Sequence, residues 1–397
     1  MVQSCPEASP MKWHQAHTTS FFETFLLRPY ISGYAPFCED FHCLFNSYYN
    51  SLGGRIPGKG LRSCISRPSL DQVVAYRTYV DHVVENFLSS QIDEEAMRCA
   101  VLGINHEQQH QELMLTDIKH ALFSNPLYPL YAAQRQTSAA GQLASKSNWR
   151  HFNGGLAQVG HRPDLKNPLL FCFDNETPRH RVYAEPFLIA DRLVTCREYL
   201  DFILDKGYSR PELWLSEGWD AVRRQDWGAP LYWEGSGMEE SDWRVFTLRG
   251  WEPLSNLLNT PVCHVSHFEA DAFARWRDCR LPTESEWELT VADAPVRGNL
   301  LESGTLHPVV AEAPDIDQVF GDCWEWTASA YTPYPGYKPL PGALGEYNGK
   351  FMSNQMILRG GSCVTPASHI RPTYRNFFHP ATRWQFSGIR LASSRTE

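Results

Sequence analysis

His106 and His110 stand four residues apart in the run His106-Glu107-Gln108-Gln109-His110. On an α-helix such residues share a face, so both imidazoles can reach one metal ion. The run also satisfies the H-E-x-x-H pattern of zinc metalloproteases, in which the glutamate is the general base. A candidate third ligand is His17, within Trp13-His14-Gln15-Ala16-His17-Thr18-Thr19. Metalloprotease logic asks for a further ligand shortly downstream. The next histidine, His120, lies ten residues past His110 along a charged, continuous helical pattern, without the glycine turn that would bring it back. Three neutral imidazoles with no thiolate also suit a site that keeps positions open for oxygen and substrate.

The elements that must position these side chains are helices. Residues 21–27, 70–88 and 92–122 carry apolar positions at three- and four-residue spacing with charges between them. Asp93, Glu94 and Glu95 stand where a helix N-terminus favours negative charge. The Gly/Pro/Arg-rich stretch over 52–68 is too broken to form an element, and residues 132–147 read as a connection rich in Ala, Ser, Gln and Gly. From Trp149 onward, short apolar runs alternate with Gly, Pro, Asn and Asp turns, and only stretches such as 196–204 and 269–277 look helical. The expected organisation is a helical domain over 1–131, a linker over 132–148 and an irregular α+β domain over 149–397.

A chain of 397 residues with 43% hydrophobic content is long enough for two cores. A formal charge of −9 with 20% charged residues argues against a general nucleic-acid or membrane-surface role. Aromatic residues reach 13%, with 13 tryptophans, which fill cores or, when clustered near polar groups, line pockets. No basic start followed by an apolar run marks a signal peptide, and no stretch approaches the ~18 apolar residues of a membrane helix. The 11 cysteines lack paired spacing, so the expectation is a reduced, cytoplasmic protein with mostly buried, unpaired thiols.

Several further runs, in order, carry a resemblance. They are Phe21-Phe22-Glu23-Thr24-Phe25, Phe45-Asn46-Ser47-Tyr48-Tyr49, and Arg280-Leu281-Pro282-Thr283-Glu284-Ser285-Glu286-Trp287-Glu288. Trp324-Glu325-Trp326-Thr327 and Leu358-Arg359-Gly360-Gly361-Ser362-Cys363 follow, then Tyr374-Arg375-Asn376-Phe377-Phe378 and Arg383-Trp384-Gln385-Phe386-Ser387-Gly388-Ile389-Arg390. Together with the two histidine runs, they resemble the EgtB family, the sulfoxide synthases of ergothioneine biosynthesis. The resemblance implies a DinB-like helical bundle that binds iron(II), followed by a formylglycine-generating-enzyme-like, C-type-lectin-like α+β domain. It implies an oxygen-dependent enzyme that joins a cysteine-type thiol to hercynine and oxidises the sulfur to a sulfoxide.

Carried over, the resemblance makes His17, His106 and His110 the iron ligands and places Gln109 beside the metal, touching hercynine. Tyr48 and Tyr49 become candidates to supply a proton or hydrogen atom, packing at a helix end being the other reading. Asn376 corresponds to a hercynine contact, followed by Phe377 and Phe378. Members that use γ-glutamylcysteine carry Trp-Asp after this Asn; the lack of a carboxylate here points to L-cysteine. Arg55 or Arg67 is a candidate partner for its carboxylate. The expected small molecules are hercynine, L-cysteine and oxygen. Alternatives are γ-glutamylcysteine, a selenium- or ovothiol-type substrate, and a zinc hydrolase. In the second domain, Trp324, Trp326, Gly360 and Gly361 read as scaffold and Cys363 as structural. Relatives carry Gly-Asn-Val where this chain has Gly321-Asp322-Cys323, and a helical segment before residues 3–10. A bundle without that first helix is expected to leave apolar faces near His17 uncovered, so that either the true start lies upstream or the domain is completed some other way, such as by a second subunit.

Overall fold

Pro10, extended at φ −63° and ψ 144°, delivers the chain into α1 (Met11–Phe22). The helix runs on through a π-helical turn, Glu23–Leu27, and a last short turn, Arg28–Tyr30. It therefore starts ahead of the expected 21–27. The reason is chemical: its buried residues include Lys12, His14, His17, Thr18, Thr19 and Ser20, so no apolar stripe marks it. α2 (Leu70–Leu88) begins with a reciprocal cap between Ser69 and Gln72 and buries Val73, Tyr76 and Val80. α3 (Glu94–Phe123) is capped by Asp93, whose side chain accepts the N–H of Ala96, and carries Glu94 and Glu95 in its first turn.

The computed structural model describes residues 2–53, 58–133, 147–162, 170–237, 239–292, 294–312 and 316–394. These fall into two compact units. The first unites Met1–Ser124 with Arg162–Thr177 and Gly336–Lys350, and so draws in two segments from the expected second domain. Its core gathers Trp13, Ala16, Phe45, Val73, Tyr76 and Val80. The apolar face expected to lie open near His17 is covered: Trp13, Ala16 and Phe21 are 2%, 0% and 3% exposed. Glu23, buried in the π-helical turn, accepts hydrogen bonds from the hydroxyls of Tyr34 and Tyr76 and from the N–H of Phe37. Of the linker expected over 132–148, residues 134–146 lie outside the described residues.

The second unit holds the strands. β1 (Trp149–Phe152), β4 (Phe187–Ala190) and β12 (Ala392–Ser393) form one sheet in the order β1-β4-β12. β2 (Gly155–Val159) pairs antiparallel with β3 (His180–Ala184). β5 (Trp233–Gly235), β6 (Trp243–Thr247) and β7 (Gly250–Pro253) form a meander. The last sheet runs β10 (Asn376–Phe378), β9 (Met356–Arg359), β8 (Trp324–Ala330), β11 (Ser387–Gly388). Among the helices, α4 (Cys196–Leu204) coincides with the expected stretch and α6 (His267–Trp276) starts two residues before its own. α5 (Ser216–Gln225) and α7 (Glu284–Thr290) are additions to the sequence reading.

Trp287, Trp324 and Trp326 are at most 1% exposed and fill this unit's core. The buried guanidinium of Arg390 donates to both carboxylate oxygens of Glu325 at 2.8 and 2.9 Å. Gly360, at φ +96°, has no room for a side chain, since a Cβ would stand 2.5 Å from the Val319 carbonyl oxygen. Cys363 is fully buried. No disulfide joins the 11 cysteines, but five are buried, five half-buried and Cys64 exposed, so the thiols are less secluded than expected. Among the described residues no helix is long and apolar enough to cross a membrane.

Candidate metal centre

α1 and α3 bring His17, His106 and His110 together, with one ring nitrogen from each within 4.8 Å of the others. The ring centroids stand 4.6 to 4.9 Å apart. His17 Nδ1 donates to the Phe45 carbonyl at 2.6 Å, and His110 Nδ1 lies 2.8 Å from His14 Nδ1, so each keeps Nε2 for a ligand. His106 is 2% exposed, and neither of its ring nitrogens meets a hydrogen-bond partner. A buried polar group left this way costs about 1–3 kcal/mol unless something outside the protein satisfies it. Three converging imidazoles suit a divalent transition ion, and this set fits iron(II).

Burial, reinforced by the neighbouring imidazoles, holds His17 and His110 well below the usual histidine range. Burial and then His14 pull His106 down to about 3. All three are therefore neutral at physiological pH, the form that binds metal. Glu107 faces elsewhere. Its carboxylate takes two hydrogen bonds from the Arg77 guanidinium, at 2.9 and 3.0 Å, and this bidentate pairing speaks against a metalloprotease base.

Tyr48 and Tyr49 leave the chain at a turn set by Asn46, whose Oδ1 accepts both backbone N–H groups at 3.0 and 2.9 Å. Their rings lie 4.7 Å apart, and burial raises both phenols, which stay protonated. A cavity of about 10 Å³, room for one water, is lined by His17, Phe21, Phe25, Asn46 and Tyr49 among others. Gln109 accepts a hydrogen bond from Tyr347, whose ring stands 5.7 Å from that of His106 and 6.1 Å from that of Tyr48. Tyr347 was missed in the sequence because it lies 238 positions from Gln109, and nothing local marks it.

Arg55 lies outside the described residues. Arg67 is exposed, and its Nη1 donates to the Ser66 carbonyl at 3.3 Å. The buried guanidinium of this segment is instead Arg62, which donates to Ser9 and Ser47 at 2.7 Å each and sits 3.5 Å over the Trp13 ring. Trp13 in turn stacks on His17 at 4.4 Å. Arg62 and Trp13 are thus two further residues of the centre that sequence reasoning passed over. Asn376, Phe377 and Phe378 belong to the second unit, where they form β10 against β9. Asn376 Oδ1 accepts the N–H of Phe377, and the Phe377 ring stacks on Tyr331 at 4.0 Å.

A buried cluster of three imidazoles on a helical unit, together with a second unit that holds the strands, defines a two-part protein with a candidate metal centre. Its later part, residues 142–309 and 311–395, matches the sulfatase-modifying factor enzyme 1-like domain family. Across 415 residues the chain is 30% identical to a hercynine oxygenase of Mycobacterium tuberculosis, covering 98% of this chain and 91% of that one. The same identity holds over 422 residues with the hercynine oxygenase of Mycolicibacterium smegmatis, at the same coverage. Ergothioneine biosynthesis protein 1 of Schizosaccharomyces pombe is 28% identical over 236 residues, 56% of this chain and 28% of that one. The chain belongs to the hercynine oxygenase family.

Proposed function

We propose that this protein is an iron(II)- and oxygen-dependent sulfoxide synthase of ergothioneine biosynthesis, joining the sulfur of L-cysteine to the imidazole of hercynine. The observation that carries the reading is the convergence of His17, His106 and His110, with neither ring nitrogen of His106 hydrogen-bonded. The hercynine oxygenase relatives that span the chain support the substrate. In the overall reaction an imidazole C–H and a thiol S–H give way to a C–S bond. Oxygen takes four electrons, one of its atoms ending in the sulfoxide and the other in water.

Bound iron(II) supplies one-electron oxygen chemistry and lowers the pKa of a coordinated thiol. The three histidines would hold the ion through neutral rings. Tyr48 and Tyr49, kept protonated by burial, are a source of a proton or hydrogen atom beside the centre. Gln109 is proposed to meet the hercynine ring, its amide oriented by Tyr347. Asn376 is proposed as a second hercynine contact. Phe377 and Phe378 offer no carboxylate for a glutamyl ammonium, which supports L-cysteine over γ-glutamylcysteine. Arg55 or Arg67 is proposed for the cysteine carboxylate. Eleven cysteines without a disulfide fit a reducing, cytoplasmic setting.

The test is anaerobic iron(II) reconstitution, then oxygen, hercynine and either thiol, with products read by mass spectrometry. The expected product is the hercynylcysteine sulfoxide from L-cysteine. A γ-glutamyl product alone would overturn the choice of thiol, and no sulfoxide from either would overturn the function.

A further inference from the structure

Once a metal takes Nε2 of His110, the hydrogen-bond roles along one line of side chains are settled. His110 Nδ1 must carry the ring proton, and it faces His14 Nδ1 at 2.8 Å. Two N–H groups cannot meet at that distance, so His14 Nδ1 accepts. The His14 proton is then on Nε2, which donates to Asp117 Oδ2 at 3.0 Å. The same Asp117 oxygen accepts the backbone N–H of Ser9 at 2.8 Å. His14, His110 and Asp117 are 2%, 7% and 4% exposed, so water does not compete for these bonds. The other two ligands are held differently: His17 by a backbone carbonyl, His106 by no hydrogen bond.

We infer that His14 and Asp117 are positioning residues for the metal, a carboxylate–imidazole relay that fixes His110 in the tautomer presenting Nε2. A carboxylate behind an imidazole behind a ligand also raises the ligand's basicity and pins its ring plane. The sequence supports the layout. His14 precedes His17 by three residues and Asp117 follows His110 by seven, spacings that put both on the ligand faces of α1 and α3. The inference rests on the reading that the three imidazoles hold a divalent metal.

The full chain is titrated anaerobically with Co(II), whose visible bands report occupancy. Its paramagnetically shifted NMR spectrum reports exchangeable N–H protons on ligand rings. The wild type is expected to show slowly exchanging Nδ1–H signals for His17 and His110. His14→Phe is expected to bind about 10–100-fold more weakly, the usual worth of such a partner, and to lose the His110 signal alone. His14→Asn restores an acceptor facing His110 and is expected to regain most of the affinity, which mere loss of packing would not allow. Asp117→Asn changes charge with little change of shape; an affinity loss of about 3–10-fold is expected, and it decides the matter should His14→Phe not fold. Co(II) affinity within about threefold of wild type in the folded variants, with both signals kept, would overturn the relay and leave the metal centre standing. Failure of the wild type to bind Co(II) would overturn both.

Discussion

Neither ring nitrogen of His106 meets a protein partner although the side chain is 2% exposed, and this has consequences of opposite sign with and without metal. His106→Leu keeps the volume and removes the unmet polar atoms, so the metal-free protein is expected to gain about 1–3 kcal/mol. The same change removes a ligand and is expected to weaken metal binding by more than about 100-fold, beyond what outer partners contribute. Denaturant unfolding of the metal-free proteins and a Co(II) titration check the pair; a loss of stability in the metal-free variant refutes it. Burial holds His106 down to about 3, against about 6.5 in the unfolded chain. Between those values the unfolded chain binds more protons, so wild-type stability rises with pH across that window and levels off above it. The slope is up to about 1.4 kcal/mol per pH unit for this residue, and the variant should lack that share. Asp322 gives the reverse sign. Burial pushes its carboxyl up to about 7, while Asn299 and the Val309 N–H donate to Oδ1. Against an unfolded value near 3.9, folded stability therefore falls as pH rises toward 7 and is flat beyond. Asp322→Asn keeps the acceptor oxygen and, at pH 8, is expected to gain roughly 2–4 kcal/mol that vanishes near pH 4; equal melting shifts at both pH values would refute it. At this scale the shared face of His106 and His110 was legible, because helical spacing carries it, whereas His17, on another helix, was a candidate that only the resemblance made a ligand. Arg62, His14 as a partner and Tyr347 were not legible, because their roles come from tertiary contacts.

α1 and α3 must approach closely for one centre to draw ligands from both, and the crossing is set by a residue without a side chain. A Cβ on Gly103 would stand 2.5 Å from Cε1 of Phe22. Gly103→Ala therefore forces the Phe22 ring aside or the helices apart, an overpacking expected to cost about 1–3 kcal/mol. Because His106 follows Gly103 by three residues, metal affinity should fall with stability; an unchanged melting midpoint would show that the ring moves freely. α2 and α3 were readable from their apolar periodicity and capping residues. α1 was readable only over 21–27, because the centre requires its buried face to be polar. Hydrophobic patterning fails where function replaces a core position with a ligand or its partner. The stretch over 52–68, read as too broken for an element, holds a 3₁₀ turn, Lys59–Cys64, that supplies the buried Arg62.

The composition shift near Trp149 suggests two domains cut from a line, whereas contacts gather residues 162–177 and 336–350 into the unit that holds the centre. Asp174 accepts hydrogen bonds from the Tyr337 hydroxyl at 3.0 Å and the Asn348 amide at 2.7 Å, tying those two segments together. Glu346 accepts from Ser51 at 2.9 and 2.6 Å and from the Asn50 N–H at 3.1 Å, and so grips the turn after Tyr49. Phe173 stacks on Tyr347 at 5.4 Å, and Tyr347 donates to Gln109. Partners separated by 163 positions or more leave no trace in local periodicity, which is why the linear boundary misses them. The centre should therefore depend on chain far beyond residue 131. A fragment of residues 1–131 keeps all three ligands but loses the wall formed by Phe173, Glu346 and Tyr347. It is expected to bind Co(II) at least about tenfold more weakly than the full chain, in the range that loss of supporting partners commonly produces. In the full chain, Glu346→Ala should act in the same direction but mildly, costing about 1–2 kcal/mol of stability with ligands intact. Anaerobic Co(II) titration and thermal melts of the three proteins check the order. A fragment that binds as tightly as the full chain would mean that the first 131 residues alone organise the metal centre.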